Sequence, residues 1–270
     1  MIRRRSRPAD IQAALTEALD GALRGQPLPS GVTTAAALIA EAVAAHAASF
    51  PRGGEPDYHN HYHQAEATLA MGWLCAEALH LGLLDAGCAV AGILAMAGHD
   101  LQHDGSVPAP GVLEARSAAL TVALAARAGL DQAVQDHIRL VILATDPSRA
   151  AAALDEDSLL CRLAREADLF ASLTPELGWR LSQALGREIR AAGAKTAPPP
   201  DSFAGRLRLL RALPPMTSAA RNLGLEAGVA VQLAALATLG DGDPEAGAKR
   251  LDALPPAEAL AHYHKALATA

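Results

Sequence analysis

The sequence has few aromatic residues, few cysteines and no surplus of positive charge, and each scarcity excludes a class of protein. Aromatics make up only 3% of the 270 residues, and runs of valine, isoleucine and threonine are almost absent, which disfavours a β-sheet fold. Three isolated cysteines cannot form a disulfide framework and favour free thiols in a reducing compartment. A net charge of −6 argues against a general electrostatic grip on nucleic acid.

No segment of the sequence predicts membrane insertion. The short basic run Arg3-Arg4-Arg5 is not followed by the apolar stretch of a signal peptide. The longest apolar stretch, Ala86 to Gly98, is too short to cross a bilayer. We therefore expect a cytoplasmic protein that binds neither membrane nor nucleic acid, while a homo-oligomer stays open.

Alanine and leucine dominate the 51% hydrophobic content, and both are strong helix formers, so we predict an all-α fold. Segments rich in proline and glycine separate the helices. The best linker candidate, Lys195 to Asp201, separates a catalytic core of residues 1–192 from a helical extension of residues 203–270 packed upon it. The predicted helices cover residues 9–24, 33–49, 57–81, 86–103, 112–128, 131–145, 156–171, 175–192, 203–212, 217–238 and 246–268.

Five of the ten histidines fall in two short clusters about forty residues apart, residues 58–63 and 99–104. Imidazole and carboxylate are the ligands of divalent-metal sites that activate water. On a helix, His59 and His63 would lie on one face, because they are four residues apart. The second cluster, which contains His99, Asp100 and His103, would end a helix that is apolar on every side and therefore buried.

Two later acids fit the same interpretation. Asp168 continues an apolar helical row through Leu160 and Ala164, so it points inward without a partner nearby in sequence. Asp146 ends a similar row through Ile138 and Ile142, so it too could face the interior. Because it precedes Pro147, the alternative is that Asp146 is simply a turn residue. A lone inward acid also caps helices, and Glu114 fits a solvated position as well as a position beside the ligands. Taken together, the clusters and the inward acid favour a metallohydrolase centre.

The order and wording of four segments resemble the HD-domain metal-dependent phosphohydrolases, and within them the class I cyclic nucleotide phosphodiesterases. The resemblance covers residues 57–170, whereas residues beyond 170 cannot be aligned with the purine-binding glutamine and aromatic clamp of that family. The matching segments are Tyr58-His59-Asn60-His61-Tyr62-His63, His99-Asp100-Leu101-Gln102-His103, Ala144-Thr145-Asp146 and Ala167-Asp168-Leu169.

The resemblance implies a compact helical bundle with a binuclear metal site. A tightly held ion, zinc or else iron or manganese, would be bound by His63, His99, Asp100 and Asp168. Asp100 would also bridge to a second ion, magnesium or manganese, and the two ions together would generate a bridging hydroxide that attacks phosphorus.

The resemblance also assigns proton transfer and support roles. His59 would be the general acid for the leaving oxygen, with His103 and Asp100 as further members of the catalytic group. The residues that would support the ligands or contact substrate are Tyr58, Asn60, Glu114, Thr145 and Asp146.

The function implied is hydrolysis of 3′,5′-cyclic nucleotides, cyclic AMP or cyclic GMP, to 5′-monophosphates. The sequence departs from the family pattern at Gln64-Ala65-Glu66-Ala67 and at Leu113-Glu114-Ala115-Arg116-Ser117. The base pocket that cannot be aligned, with its missing glutamine and aromatic clamp, predicts loose base selection. The alternatives are an HD-domain enzyme that acts on another phosphodiester or a phosphomonoester, and a non-catalytic regulatory or binding module.

Overall fold

The computed structural model describes residues 10–51, 54–148 and 158–270. Every regular element within these ranges is an α-helix, which confirms the all-α prediction. The helices are α1 Ile11–Leu23, α2 Val32–Ser49, α3 His61–His80, α4 Ala86–Gly98, α5 Val112–Arg127, α6 Gln132–Ala144, α7 Leu159–Leu173, α8 Gly178–Ala191, α9 Phe203–Arg211, α10 Ser218–Asn222, α11 Leu225–Leu239, α12 Pro244–Asp252 and α13 Pro256–Leu267.

Helices α3 and α4 form the centre of the bundle. From Ala89 to Gly98 every residue of α4 is buried, as its all-round apolar sequence predicts. Helices α1 and α7 pack against α3, and α2 and α6 pack against α4. One predicted metal-binding segment lies at the start of α3, and the other follows the end of α4. The most buried part of the fold therefore positions both segments.

Small residues allow close approach of the central helices. A side chain at Gly72 of α3 would collide with the backbone of Ala18 on α1. A side chain at Gly98, the last residue of α4, would collide with Thr121 of α5. The Thr121 hydroxyl donates a hydrogen bond of 3.2 Å to the Gly98 carbonyl, so α5 supports the end of α4 directly.

Helix α2 alone, among the described helices, is long and apolar enough to cross a membrane by length and composition. Its residues Val32, Ile39 and Val43 are buried in the core, and the helix packs against α1, α4 and α5. A core helix of a soluble domain meets the same criterion, so α2 is weak evidence for a membrane span. A third of the helix is buried in the described structure.

The C-terminal helices α9, α11, α12 and α13 build a second, smaller apolar cluster around Phe203, Leu236 and Tyr263. Other side chains of the same region, including Leu210 and Met216, belong to the main core. Helix α10 packs on α3, and α11 packs on α7. The division into a core and an extension at the linker stays a prediction, and the linker segment itself contains no helix between α8 and α9.

Two predicted C-terminal helices are wrong in their extent. The predicted helix 217–238 is broken into α10 and α11 at Gly224, whose φ of 80° ends one helix and begins the next. The predicted helix 246–268 is broken into α12 and α13 by Pro255 and Pro256, since proline removes an amide donor and restricts the residue before it. The predicted start of the helix 156–171 lies partly outside the described residues.

Candidate metal centre

A tight turn at the end of α4 carries His99 and Asp100. The predicted helix 86–103 is wrong beyond Gly98, because the chain continues in turns whose amides bond three residues back, Leu101 to Gly98 and His103 to Asp100. The amide of Gln102 donates to the Ser117 hydroxyl of α5 at 3.0 Å. Both ends of the turn are thereby fixed, and the neighbours His99 and Asp100 reach the same centre.

The ring of His99 has a defined orientation. Its Nδ1 lies 2.8 Å from the carbonyl oxygen of Met96, one of the acceptors that the end of α4 leaves free. A carbonyl only accepts, so Nδ1 carries a proton and Nε2 is the nitrogen that faces the centre, where a bound ion would replace the proton that the carboxylates favour. The backbone of α4 therefore prepares this imidazole as a ligand.

The side chain of Asn60 sets the start of α3. Its Oδ1 accepts hydrogen bonds from the amides of Tyr62 and His63, so Asn60 is the N-cap. The predicted start at Asp57 is wrong, since the Asp57 carboxylate instead pairs with Arg187 of α8 at 2.6 Å. His59 thus precedes the helix, and the predicted shared helical face of His59 and His63 is also wrong.

The four predicted metal ligands come together. The Nε2 of His63 lies 2.9 Å from Asp168 Oδ1 and 3.4 Å from Asp100 Oδ2, while the Nε2 of His99 lies 3.5 and 3.2 Å from the same two oxygens. The two Nε2 atoms are 3.3 Å apart. Donors that share one zinc ion at about 2.1 Å lie roughly 3.0 to 3.4 Å from one another, so these nitrogen–oxygen and nitrogen–nitrogen distances suit a metal ion. The donor atoms of His63, His99 and Asp168 all lie within 4.8 Å of one another, and Asp100 lies beside this group of three.

An unsatisfied carboxylate oxygen supports that fit. Asp100 Oδ2 is buried and has no hydrogen-bond partner among the described residues, although two imidazole nitrogens lie within 3.4 Å of it. The nitrogens approach it at a distance suited to a shared ion rather than in hydrogen-bond geometry. A buried carboxylate without a partner is costly, and a bound cation removes that cost.

The charges of the cluster reinforce one another. Burial alone would raise the pKa of Asp100, but His99, His59 and His63 together hold that pKa well below its ordinary value. Burial would likewise lower the pKa of His99, whereas the carboxylates of Asp100 and Asp168 hold it well above its ordinary value. Asp100 therefore stays ionised across the physiological pH range, as a metal ligand must.

Beside the ligands lies a second group of side chains, formed by His59, His103 and Glu188. The Nδ1 of His59 bonds to Glu188 Oε1 at 2.5 Å, and the other carboxylate oxygen accepts from the backbone amides of Tyr58 and His59. Burial lowers the pKa of His59, but the hydrogen bond to Glu188 and the nearby carboxylates outweigh it and raise the pKa. His59 therefore favours the protonated form.

His103 is the neutral member of the pair. Its ring stacks on that of His59, with centroids 3.8 Å apart and planes 15° apart. Burial and the charge of His59 lower the pKa of His103 to about 4. Its Nδ1 accepts a hydrogen bond from the amide of Gly105, which also requires the neutral ring. The shared proton is thereby assigned to His59.

The donor atoms of His59, His103 and Glu188 are close enough to suggest a metal site of their own. Their ring geometry opposes it, because the lone pairs of two stacked imidazoles are directed in parallel planes and cannot converge on one ion. The short bond of His59 to Glu188 also occupies the nitrogen that such an ion would need. This group holds a proton better than it holds a metal.

A scan against models of known protein families and a search of curated proteins each returned no match for this chain. The geometry of the two groups therefore carries the functional inference.

The remaining predicted site residues have different surroundings. Glu114 lies close enough to Asp146 and Asp100 that burial and these charges raise its pKa. Asp146 is buried, accepts from the Ser148 amide, and lies near the backbone of Gly111. The hydroxyl of Thr145 donates to the Ile142 carbonyl within its own helix end. Glu114 and Asp146 are thus two further acids near the cluster. The hydroxyl proton of Thr145 is instead directed at its own helix.

Tyr58 is a buried support for the ligands rather than an exposed contact. Its ring lies against that of His63, with centroids 4.8 Å apart. Its hydroxyl is 2.9 Å from the Ser172 hydroxyl of α7, the helix that carries Asp168. Tyr58 therefore connects one histidine ligand to the helix of the fourth ligand.

Three contributors to the site were missed at the level of sequence. Glu188, Ser172 and His46 lie in ordinary helical patterns, and only the third belongs to a residue type that attracts attention. The Nε2 of His46, on α2, lies 3.1 Å from the carbonyl oxygen of His103. The inward position of Glu188 in the apolar face of α8 was the one usable signal, since an acid there needs a partner.

Proposed function

We propose that this protein is a metal-dependent phosphodiesterase that hydrolyses 3′,5′-cyclic nucleotides to 5′-monophosphates. The observation that carries the proposal is the convergence of His63, His99, Asp100 and Asp168 beside His59, whose pKa is raised by its hydrogen bond to Glu188 and by the nearby carboxylates. Four ligand atoms and an adjacent proton donor are the two requirements of phosphate-ester hydrolysis by metal-activated water. The sequence resemblance to HD-domain phosphohydrolases points to the same chemistry.

The ligand set is suited to a tightly held divalent ion such as zinc, iron or manganese. Asp100, with a buried and unsatisfied oxygen, is the residue that would also serve a second ion, magnesium or manganese. When bound, such ions supply Lewis acidity and lower the pKa of a water molecule so that it can attack at neutral pH.

The charge of the surrounding residues makes cations necessary for this substrate class. Further carboxylates lie nearby, since Glu114 is close to both Asp100 and Asp146, and Glu188 bonds to His59 beside the ligand group. An anionic phosphate ester would be repelled by this group unless cations compensated for it. The metal requirement therefore follows from substrate binding as well as from catalysis.

In this proposal His59 donates the proton to the leaving oxygen. Glu188 holds the ring through Nδ1, so Nε2 is the nitrogen left to donate. The short bond to Glu188 stabilises the charged ring before the proton leaves. The neutral ring of His103 stacks on a face of the His59 ring. It restricts the orientation of the His59 ring and does not compete for its proton.

Base recognition is expected to be loose, because the purine-binding glutamine and aromatic clamp of the family have no recognisable counterpart in this sequence. A pocket without a paired amide leaves no polar group unpaired when the wrong base binds. We therefore propose that more than one cyclic nucleotide is hydrolysed, in the cytoplasm, with a high Michaelis constant.

A second candidate keeps the site and changes the substrate to another phosphodiester or to a phosphomonoester. The ligands and His59 serve these substrates equally, since they act on the phosphate rather than the base. A non-catalytic binding module is disfavoured because both the ligands and the proton donor are present together.

A panel of phosphate esters, assayed with metal-replete protein and parallel metal analysis, tests the proposal. We expect bound divalent metal and turnover of both cyclic AMP and cyclic GMP. Rapid cleavage of a phosphomonoester without turnover of any cyclic nucleotide would overturn the substrate assignment. Bound metal without turnover of any phosphate ester would favour the binding module.

A further inference from the structure

A buried arginine of helix α9 has no acidic partner among the described residues. Arg206, on α9, is 1% exposed, and no carboxylate within the described ranges pairs with it. Its Nη1 has no hydrogen-bond partner among the same residues. Burial lowers the pKa of the guanidinium, although the group remains basic enough to carry its charge.

Stability of the fold does not explain this arginine. An uncompensated charge in an apolar interior is costly, and an apolar side chain of similar volume would remove that cost. Arg206 lies on α9 with Phe203 and beside Tyr263, and both of these residues belong to the small C-terminal apolar cluster. A role in holding other groups is the remaining physical explanation for the position.

The contacts of Arg206 run to the end of α7. Its Nε and Nη2 both donate to Oε1 of Gln232, a fully buried residue of α11. The amide nitrogen of Gln232 in turn donates to the carbonyl oxygen of Leu173, the last residue of α7, at 2.7 Å. The Tyr263 hydroxyl lies 3.4 Å from the same Gln232 oxygen. Helices α9, α11 and α13 thus hold α7 at its C-terminal end.

The guanidinium also occupies the start of α8. A side chain at Gly178, the first residue of α8, would collide with Arg206, so the glycine leaves the space that the guanidinium fills. Helix α7 carries Asp168, and α8 carries Glu188. Tyr58 lies close enough to act electrostatically on Arg206. The junction therefore adjoins the helices of both site groups.

We propose that Arg206 is a positioning residue of the metal centre, which together with Gln232 sets the end of α7 against the start of α8 and so the placement of Asp168. The inference rests on the proposed metal centre. It gives the C-terminal helices a part in the site, although they contribute no ligand.

Zinc affinity and fold stability, measured separately, distinguish positioning from a merely structural role. In Arg206→Met the removal of a buried charge and the loss of two donors to the buried Gln232 oxygen oppose each other, so the apo-protein should unfold close to the wild-type temperature. Its zinc dissociation constant, measured by competition with a chromogenic chelator, should rise about tenfold, as for other residues that orient ligands. Gln232→Glu keeps an oxygen for Arg206 but loses the donor to Leu173, so it should also weaken zinc binding.

Leu251→Ala is the matched control, because Leu251 is equally buried in the same small cluster but takes no part in the hydrogen bonds of Arg206 and Gln232. It should lower the unfolding temperature and leave the zinc affinity within about twofold of wild type. Zinc affinity that falls in step with stability across all three variants would overturn the positioning role. Wild-type zinc affinity in folded Arg206→Met or Gln232→Glu would overturn it as well.

Unmodified protein provides a measurement that does not depend on the folding of a variant. Since coupling between sites is reciprocal, zinc should slow backbone hydrogen exchange in α9 and α11 more than in α12. Equal effects on the three helices would overturn the inference while leaving the metal centre intact. Failure of the wild-type protein to bind zinc or another divalent ion would instead remove the proposed function itself.

Discussion

The two groups of titratable side chains in the site are built from the same residue types and lie side by side, yet they suit different tasks. In the ligand group, the Nε2 atoms of His63 and His99 face two carboxylates across a common point. In the proton-holding group, the rings of His59 and His103 stack, and one of them bonds to Glu188.

The partner of the opposite ring nitrogen accounts for the difference. His99 donates its Nδ1 proton to a backbone carbonyl, so Nε2 is the nitrogen that a metal ion would take in place of the proton that Asp100 and Asp168 favour. His59 gives Nδ1 to a carboxylate, which stabilises the charged ring and leaves Nε2 as a donor. An imidazole is thus made a ligand or an acid by a contact on the side away from the chemistry.

The largest expected effect is on the ligand group. We predict that His99→Ala removes tightly bound metal and activity together, because Asp100 and Asp168 lose one of the two nitrogens they face. His63→Ala and Asp100→Ala should behave alike. Metal analysis of folded, purified variants checks this, and unchanged metal content in all three would show that the metal is held elsewhere.

Asp168→Asn tests the ligand that is most distant in sequence. We expect metal occupancy and turnover to fall, since the neutral amide is a much weaker ligand than the carboxylate 2.9 Å from His63. Circular dichroism would establish that the variant is folded. Full occupancy at the wild-type rate would shift the fourth ligand to another acid, with Asp146 the next candidate.

The proton-holding group should behave in the opposite way. His59→Ala is expected to retain metal and lose turnover by roughly 100- to 10,000-fold, the range of general-acid catalysis. A substrate with an acidic leaving group needs less protonation and should lose much less. Equal losses on good and poor leaving groups would contradict the proton-donor role.

A smaller effect is predicted for Glu188→Gln, which keeps the size of the side chain and removes its charge. The protonated ring of His59 is then less stable, so its pKa falls toward its ordinary value. Activity that needs this proton is lost as pH rises through that pKa, so the alkaline limb of the pH–rate profile should move to lower pH. Above the new pKa, the protonated fraction of His59 falls about tenfold for each further pH unit. An alkaline limb at its wild-type position would mean that another group controls it.

The smallest effect is expected at Asn60, which caps α3 beside both groups without joining either. Asn60→Ala should lower the free energy of unfolding by about 1 kcal/mol through loss of the cap. The ratio of turnover rates on different substrates should not change, because the side chain bonds to the backbone at both ends. Denaturant unfolding and the substrate panel check the two statements, and altered substrate preference would indicate direct contact.

The sequence predicted which four candidate ligands would converge, because their residue types are clustered and unusual. His63, His99 and Asp100 lie in dense clusters, and Asp168 continues a buried helical row. The all-α fold class also followed from composition, since alanine and leucine, which favour helix, dominate the sequence. The ends of helices were less predictable, because Asn60 rather than Asp57 captures the amides of α3.

Glu188 could not be identified because its importance comes entirely from tertiary contact. Its inward position in α8 indicates that it needs a partner, but that partner, His59, lies 129 residues away along the chain and the sequence does not identify it. Arg206 is similar, since an arginine in a charged helical stretch predicts exposure rather than burial. Contacts between distant segments decide such positions, and composition and spacing do not report them.

The contact of Gly98 with Thr121 has a consequence for the history of this chain. The residue before His99 must lack a side chain for α5 to lie where it supports the turn. Any side chain at position 98 would move α5 away from the end of α4, although position 98 is not itself a ligand. Homologues that keep this arrangement are therefore expected to keep glycine immediately before the His-Asp pair.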